Sequence, residues 1–377
     1  MADNATSSEL VTLLAISRRI TTEPTSEALY QTILEKAVQL TDAEGGTIYF
    51  YDETSNRLVF KFVISTNPEV VNRLKGLELE KGVGIVGTVA QTLQSDLVVD
   101  TGSDPRFAKT IDQITGFETR SVLTVPLHFY DDETQSRTLV GVLQLVNKRH
   151  GTFAGADVEK IEAFGGFTAA LLTRANLLQR IRRQYLGTIA SLAEAVDAKD
   201  PYTHGHSERV SAYSLALAEA TGLSQAQLFD LRVSSLLHDI GKIAIPDAIL
   251  LKQGYLTDEE YARIKTHCKE GVRILRPVQM PHAVYAGILY HHEKWDGSGY
   301  PEQRKGKDIP LFARFVAFAD ALDAITTERS YKKARTFDEA RDNILRDAGK
   351  HFDPELALMF CSLALENTRA LSHTQFF

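Results

Sequence analysis

The sequence predicts two domains of different class: an α+β domain with an antiparallel sheet, then an all-α helical bundle, joined by a long helix. Three observations carry this. Short β-branched and aromatic runs joined by polar turns alternate with helical patterns over the first ~165 residues. From Asp157 to Lys199 the pattern is helical and free of proline. After Pro201 every patterned segment is helical and no strand pattern returns. A chain of 377 residues suits two domains at roughly 100–200 residues each. Its composition, 44% hydrophobic and 24% charged, is that of a globular protein able to bury a core in each half.

The elements follow in order. Residues 1–24 read as an N-terminal helix on Leu10, Leu13, Leu14, Ala15 and Ile20, interrupted by Pro24. Leu29, Ile33, Leu34, Ala37 and Val38 mark a second helix that ends near Asp42. Thr47–Tyr51 and the alternating run Leu58–Ile64 form a hairpin across Asp52–Asn56. Further strands are Asp96–Val99, Ser121–Phe129 and Thr138–Asn147, the last two flanking a second turn. Gly82-Val-Gly-Ile-Val-Gly87 fits a dinucleotide fingerprint in letters only. No βαβ unit surrounds it, and Leu77–Lys81 is a poor buried strand, so the glycines are read as a tight turn into a helix over Ile85–Gln94.

In the connecting helix, Gly165, Gly166 and Gly187 are weak points. Leu171, Leu178, Tyr185 and Leu192 recur every seven residues, while Arg174, Ile181, Thr188 and Ala195 fill the companion positions only half well. Residues 166–200 are therefore read as a helix able to form a short parallel coiled coil in a homodimer, the alternative being a helix packed on its own domains. Beyond it, helices are expected near 207–220, 226–240, 257–276, 282–292, 310–326, 337–346 and 354–366. Thr257-Asp-Glu-Glu260 is a capping box, and Pro310 sits at a helix first turn.

A net charge of −7, from 42 basic and 49 acidic residues, speaks against a non-specific nucleic-acid binder, which needs a basic surface. Two cysteines, Cys268 and Cys361, exclude a disulfide framework and point to a reducing compartment. No signal peptide and no apolar run of about 18 residues is found, so a cytoplasmic protein without membrane contact is expected.

The histidines are uneven: nine of eleven lie after residue 200. His238-Asp239 ends an apolar helix, and so does His291-His292. Asp320 lies inside Phe315–Leu322, where a buried carboxylate is costly unless paired or bound to metal. His267 lies ten residues into the capped helix, and His206 opens another. A single His-Asp pair would read as a core histidine bonded to a carboxylate. Several such groups converging from separate helices read as a metal site. Mixed imidazole and carboxylate donors suit two divalent transition metals, Fe, Mn, Ni or Zn. Two such metals activate water for in-line attack at phosphorus, with Lys242 placed to offset charge on the phosphoryl oxygens.

His238-Asp-Ile-Gly-Lys-Ile-Ala-Ile-Pro-Asp247 and His291-His-Glu-Lys-Trp-Asp-Gly-Ser-Gly-Tyr-Pro301 resemble the HD-GYP domain, a branch of the HD phosphohydrolases. Ile309–Arg314, Ala319-Asp320 and Arg329-Ser-Tyr-Lys332 extend the resemblance over residues 190–366, within a domain read as 201–377. The resemblance implies hydrolysis of cyclic di-GMP. It implies one metal, Fe or Mn first, on His206, His238, Asp239 and Asp320. The second takes His267, His291 and His292, with Asp239 as bridge. It makes Asp239 and Lys242 catalytic, and gives Arg329 and Lys332 the substrate phosphates. Gly299-Tyr300-Pro301 reads as a shaping turn. Some relatives carry a glutamate four residues before the first histidine that holds a third metal. Tyr202 stands there, and a phenol is a poor ligand at neutral pH. Two metals and linear pGpG as product are thus expected, with a second cut to GMP left open. Two alternatives stand beside this: a 3′,3′-cGAMP phosphodiesterase, and a non-catalytic cyclic di-GMP receptor acting through protein partners. His204, His282, His351 and Cys268 are not read as ligands.

The helix, hairpin, Gly-rich turn, paired strands and terminal helix of residues 25–175 resemble a GAF sensory domain, placed at 25–165. Asn147-Lys148, Phe153 and Asp157 match its motif, with Val158 where an acidic residue is usual. The resemblance implies that this motif braces the fold. Its ligand is left open between a cyclic nucleotide, another small molecule and none, the domain then serving dimerisation. No cysteine lies in it, which excludes a thioether-linked bilin.

Overall fold

The computed structural model describes residues 26–64, 74, 77–131, 136–199, 205–327 and 334–362. The expected helix at 1–24, Tyr202, His204, Arg329 and Lys332 lie outside the described residues. The chain divides into two compact units, Met1–Ile181 and Arg182–Phe377.

In the first unit, β1 (Ala43–Asp52), β2 (Arg57–Ile64), β3 (Glu78–Glu80), β4 (Asp96–Val98), β5 (Val122–Asp131) and β6 (Ser136–Lys148) form one sheet. Its order is β3-β2-β1-β6-β5-β4, with every neighbouring pair antiparallel. Strand alternation divides the side chains between two faces. Ile48, Leu123, Val125, Leu143 and Leu145 pack on Ile33 and Leu34 of α1 (Ser26–Thr41) and on Ile161 and Phe164 of a later long helix. Tyr49, Leu58, Phe60 and Val142 turn to the opposite face, against Val86 and Val89 of α2 (Gly84–Thr92). A short α3 (Thr110–Thr115) lies between β4 and β5.

The Gly82–Gly87 run does lead into a helix. Gly82 and Gly84 have φ of +88° and +69°, open to glycine at no steric cost. A Cβ on Gly87 would strike the Glu80 carbonyl. Asn147, Lys148 and Asp157 brace this unit. Asn147 accepts the amides of Arg120 and Ser121 and donates to Glu44 and the Glu118 carbonyl. Lys148 bonds both oxygens of Asp157 at 2.8 and 2.6 Å, and Asp157 accepts the Ala154 amide.

The connecting helix α4 runs unbroken over Gly155–Asp197. A Cβ on Gly165 would lie 3.3 Å from Val125, which allows the helix to press on the sheet. The seven-residue stripe is divided in use: Leu171 packs on the first unit's core and Tyr185 on the second's, whereas Leu178, Ile181 and Leu192 stay 53, 52 and 45% exposed.

The second unit contains α5 (His206–Glu219), α6 (Gln225–Leu236), α7 (Asp247–Leu250), α8 (Asp258–Lys265), α9 (His267–Leu275), α10 (His282–Tyr290), α11 (Leu311–Thr326), α12 (Phe337–Arg346) and α13 (Pro354–Ser362). Val210, Leu231, Phe315, Val316, Ile344 and Phe360 form the largest core. A second cluster joins Ile189, Ala193 and Val196 of α4 to Leu236, Leu237 and Ile240. Thr257 and Glu260 form the expected capping box, and Ser224–Gln227 and Thr336–Glu339 form two more. Three expectations are corrected. The helix expected over 226–240 ends at Leu236, followed by a 3-10 turn at Ile240–Ala244. The segment 257–276 is two helices broken at Thr266, so His267 opens α9 instead of lying within α8. Pro310 precedes α11 as its N-cap rather than sitting in its first turn. No helix among the described residues is long and apolar enough to cross a membrane.

Candidate metal centre

Three histidines reach the site by one local device. His238 follows α6, His267 follows the α8 break, and His291 follows α10, each at the end of a helix. Each Nδ1 meets the carbonyl three residues back: Ser235 at 2.7 Å, Ile264 at 2.8 Å and Ile288 at 2.8 Å. A carbonyl only accepts, so the proton sits on Nδ1 and the Nε2 lone pair is left for a ligand. His206, at the start of α5, is held instead by the Asp323 carboxylate, 2.7 Å from Nδ1.

The Nε2 atoms surround Asp239. One carboxylate oxygen lies 3.5 Å from His238 and 3.9 Å from His206; the other lies 3.5 Å from His267 and 4.0 Å from His291. Asp320 lies 3.5 Å from His206 Nε2. Two sets of donors result, His206–His238–Asp239 and His267–His291–His292, the atoms of each within 4.8 Å of one another. This spacing suits ligands that share a cation about 2.0–2.2 Å away.

The electrostatics also fit a cation. Burial pushes His267 down and His291 well below the usual imidazole range, neighbouring imidazoles adding to the shift in His291. Burial and the His267 ring bring His292 to about 3, so these rings are neutral donors. Burial opposes charge on Asp239, but Lys242 and the imidazoles outweigh it and hold the carboxylate ionised. Burial likewise opposes charge on His206, but the Asp323 bond and the Asp320 and Asp239 carboxylates raise its pKa, a demand for positive charge that a metal would also meet. His238 Nε2 is buried with no hydrogen-bond partner. An orphaned buried acceptor aimed at a carboxylate cluster is accounted for by a divalent cation.

Gly241 shows why the turn after Asp239 needs a glycine: a Cβ there would overlap the His267 carbonyl and the Gly271 amide nitrogen. The 3-10 turn and α9 can thus meet backbone to backbone. Lys242 on this turn pairs with Asp239 at 2.6 Å. Glu293, beside His292, accepts the amides of Glu302 and Arg304 and so fixes the loop carrying Tyr300, whose ring lies 4.8 Å from that of His292.

Of the residues expected in the site, His206, His238, Asp239, Lys242, His267, His291, His292 and Asp320 come together. The burial expected of Asp320 belongs to Asp323 instead: Asp320 keeps 25% side-chain exposure and Asp323 only 1%. Asp323 was missed, although its spacing of three from Asp320 put it on the same helical face. Cys268, not read as a ligand, is buried beside His267, its Sγ 3.5 Å from His267 Nε2. His282 and His351 are exposed.

In the first unit a cleft opens on the sheet face away from α1 and α4. Tyr49, Phe60, Phe107 and Phe117 supply aromatic walls, and Thr47, Thr119 and Gln144 supply polar groups. Asp112 is the charged residue among its described lining, and it accepts the Thr119 amide and hydroxyl.

Residues 190–356 match the family model of the HD domain, and residues 25–172 that of the GAF domain. The chain contains a GAF domain followed by an HD domain. More particularly, it is 42% identical over 172 residues to a cyclic di-GMP phosphodiesterase of Thermotoga maritima, covering 45% of this chain and 47% of that protein. It is 40% identical over 186 residues to 3′3′-cGAMP-specific phosphodiesterase 2 of Vibrio cholerae, covering 48% and 35%. It is 39% identical over 186 residues to the cyclic di-GMP phosphodiesterase response regulator RpfG of Xanthomonas campestris, covering 49% and 48%. The chain thus spans half or less of the length of these relatives.

Proposed function

We propose that the chain is a metal-dependent phosphodiesterase that opens cyclic di-GMP to linear pGpG under control of its GAF domain. The observation that carries this is Asp239, with one carboxylate oxygen facing each of two imidazole sets. The relatives named above support the substrate class. His206, His238, Asp239 and Asp320 would hold one cation, and Asp239, His267, His291 and His292 the other. Mixed imidazole and carboxylate donors suit Fe, Mn, Ni or Zn, and the resemblance to the HD-GYP domain puts Fe or Mn first. When bound, two such metals supply activated water and neutralise the phosphoryl oxygens.

The chain's own groups do the rest. The helix-end carbonyls orient the imidazoles. Lys242 lies beside Asp239, where its ammonium offsets charge developing on the phosphoryl group. Arg329 and Lys332 would orient the substrate phosphates. The exposed Leu178, Ile181 and Leu192 form the dimer seam of a connecting helix read as 166–200. At the GAF domain, the cleft favours an uncharged small molecule over a cyclic nucleotide: no Lys or Arg lines its described walls, and Asp112 would repel a phosphate.

The test is turnover of cyclic di-GMP and 3′,3′-cGAMP under Mn(II) and Fe(II), without oxygen and with products separated. Release of pGpG is expected, and a metal-loaded protein that cleaves neither would overturn the reading. Faster cleavage of cGAMP would favour the second reading, which the 40% identical cGAMP-specific relative supports. Asp239→Ala abolishes turnover in an enzyme but need not abolish signalling by a receptor.

A further inference from the structure

The C-terminal end of α4 and the residues just after it are bonded to both sides of the candidate metal centre. Asp197, buried, accepts the Ser207 amide at 3.0 Å and its hydroxyl at 2.9 Å. Ser207 follows His206, so this carboxylate anchors the first turn of the helix that presents a metal-facing imidazole. Two residues beyond Asp197, the Lys199 ammonium donates to the carbonyls of Lys242, Ile243 and Ile245 at 3.3, 3.2 and 2.9 Å. These carbonyls belong to the 3-10 turn that carries Lys242 and to the residue that closes it. Ammonium at a helix C-terminal end is favourable, and here it satisfies convergent carbonyls that would otherwise face one another. Between the two anchors, Val196 packs with Leu237 and Ile240, which flank His238-Asp239.

We propose that Asp197 and Lys199 are positioning residues through which the connecting helix acts on the reaction: Lys199 places the Lys242 turn and Asp197 places His206. Any displacement of the helix end moves both contacts together. Asp247 also pairs with Lys199, at 3.1 Å, but is 69% exposed and lies outside the carbonyl cluster. This inference rests on the reading of the centre as a phosphodiesterase site.

The test compares Lys199→Met, Lys199→Arg and Asp247→Asn in the full chain. A misplacement near 1 Å can cost about a hundredfold in rate. Lys199→Met should lower kcat for cyclic di-GMP by about 10–100-fold, with KM within about threefold. Metal content should be unchanged, and amide exchange across residues 240–245 faster. Lys199→Arg should recover part of the rate, and Asp247→Asn should stay within about twofold of wild type. Wild-type kcat and exchange in Lys199→Met would overturn the proposal, as would loss of metal or of global stability in that variant. If the wild-type protein itself cleaves no cyclic dinucleotide, the phosphodiesterase reading fails, while the exchange measurement still decides whether Lys199 holds the turn.

Discussion

Replacing Asp323 by asparagine isolates the support behind a single imidazole of the candidate metal centre, that of His206. The carboxylate receives His206 Nδ1 at 2.7 Å, Arg209 Nε at 2.5 Å and Nη2 at 3.2 Å, and the Thr327 hydroxyl at 3.0 Å. Burial alone would raise its pKa, but the His206 and Arg209 bonds outweigh this and hold it at about 2. The charge is therefore present throughout neutral and mildly acidic pH. Removing one partner of a buried ion pair costs about 3–5 kcal/mol. Arg209 keeps 26% exposure, and the amide oxygen still accepts one bond, so about 2–3 kcal/mol is expected here. Groups that orient metal-binding histidines are worth about 10–100-fold in metal affinity, or about 1.4–2.7 kcal/mol at 1.36 kcal/mol per tenfold. Urea unfolding and metal retention against a competing chelator read the two effects separately. Metal affinity within threefold of wild type, with unchanged stability, would refute the claim that Asp323 sets the His206 ring.

Gly241→Ala drives a methyl group into the His267 and Gly271 backbone; a loss of about 3 kcal/mol or more is expected by chemical denaturation, with metal binding weakened alongside. Asp157→Asn removes a partly buried ion pair with Lys148 and should cost about 1.5–3 kcal/mol at neutral pH. Lys148 and the Ala154 amide overcome the burial that opposes charge on Asp157 and lower its folded pKa. Its contribution is therefore present above the unfolded carboxylate value and lost as pH falls through the folded one, so wild type and variant should converge in melting temperature in acid. Leu178→Glu combined with Ile181→Glu should convert a dimer to a monomer in light scattering, and a monomeric wild type would remove the seam.

Much of the site was legible because its residues are chemically unusual for their surroundings. Paired His-Asp and His-His at the ends of apolar helices stand out from any core pattern. Asp323 was not legible in the same way. One buried carboxylate was expected on α11, and only packing shows that Asp323 is buried while Asp320 opens on the site. Helix ends at Leu236 and Thr266 were overrun in the reading, since periodicity continues where carbonyls are already diverted to imidazoles.

The sequence by itself determined the two fold classes, the helix between them and which imidazole and carboxylate side chains cluster, because periodicity and residue chemistry are local properties. The tertiary structure decided how those side chains are aimed. It aimed the Nδ1 groups at helix-end carbonyls, set Asp239 between two imidazole sets, and bonded Asp197 and Lys199 to the turns around it. Those contacts join residues far apart in the chain, and their geometry follows from packing, which no local pattern encodes.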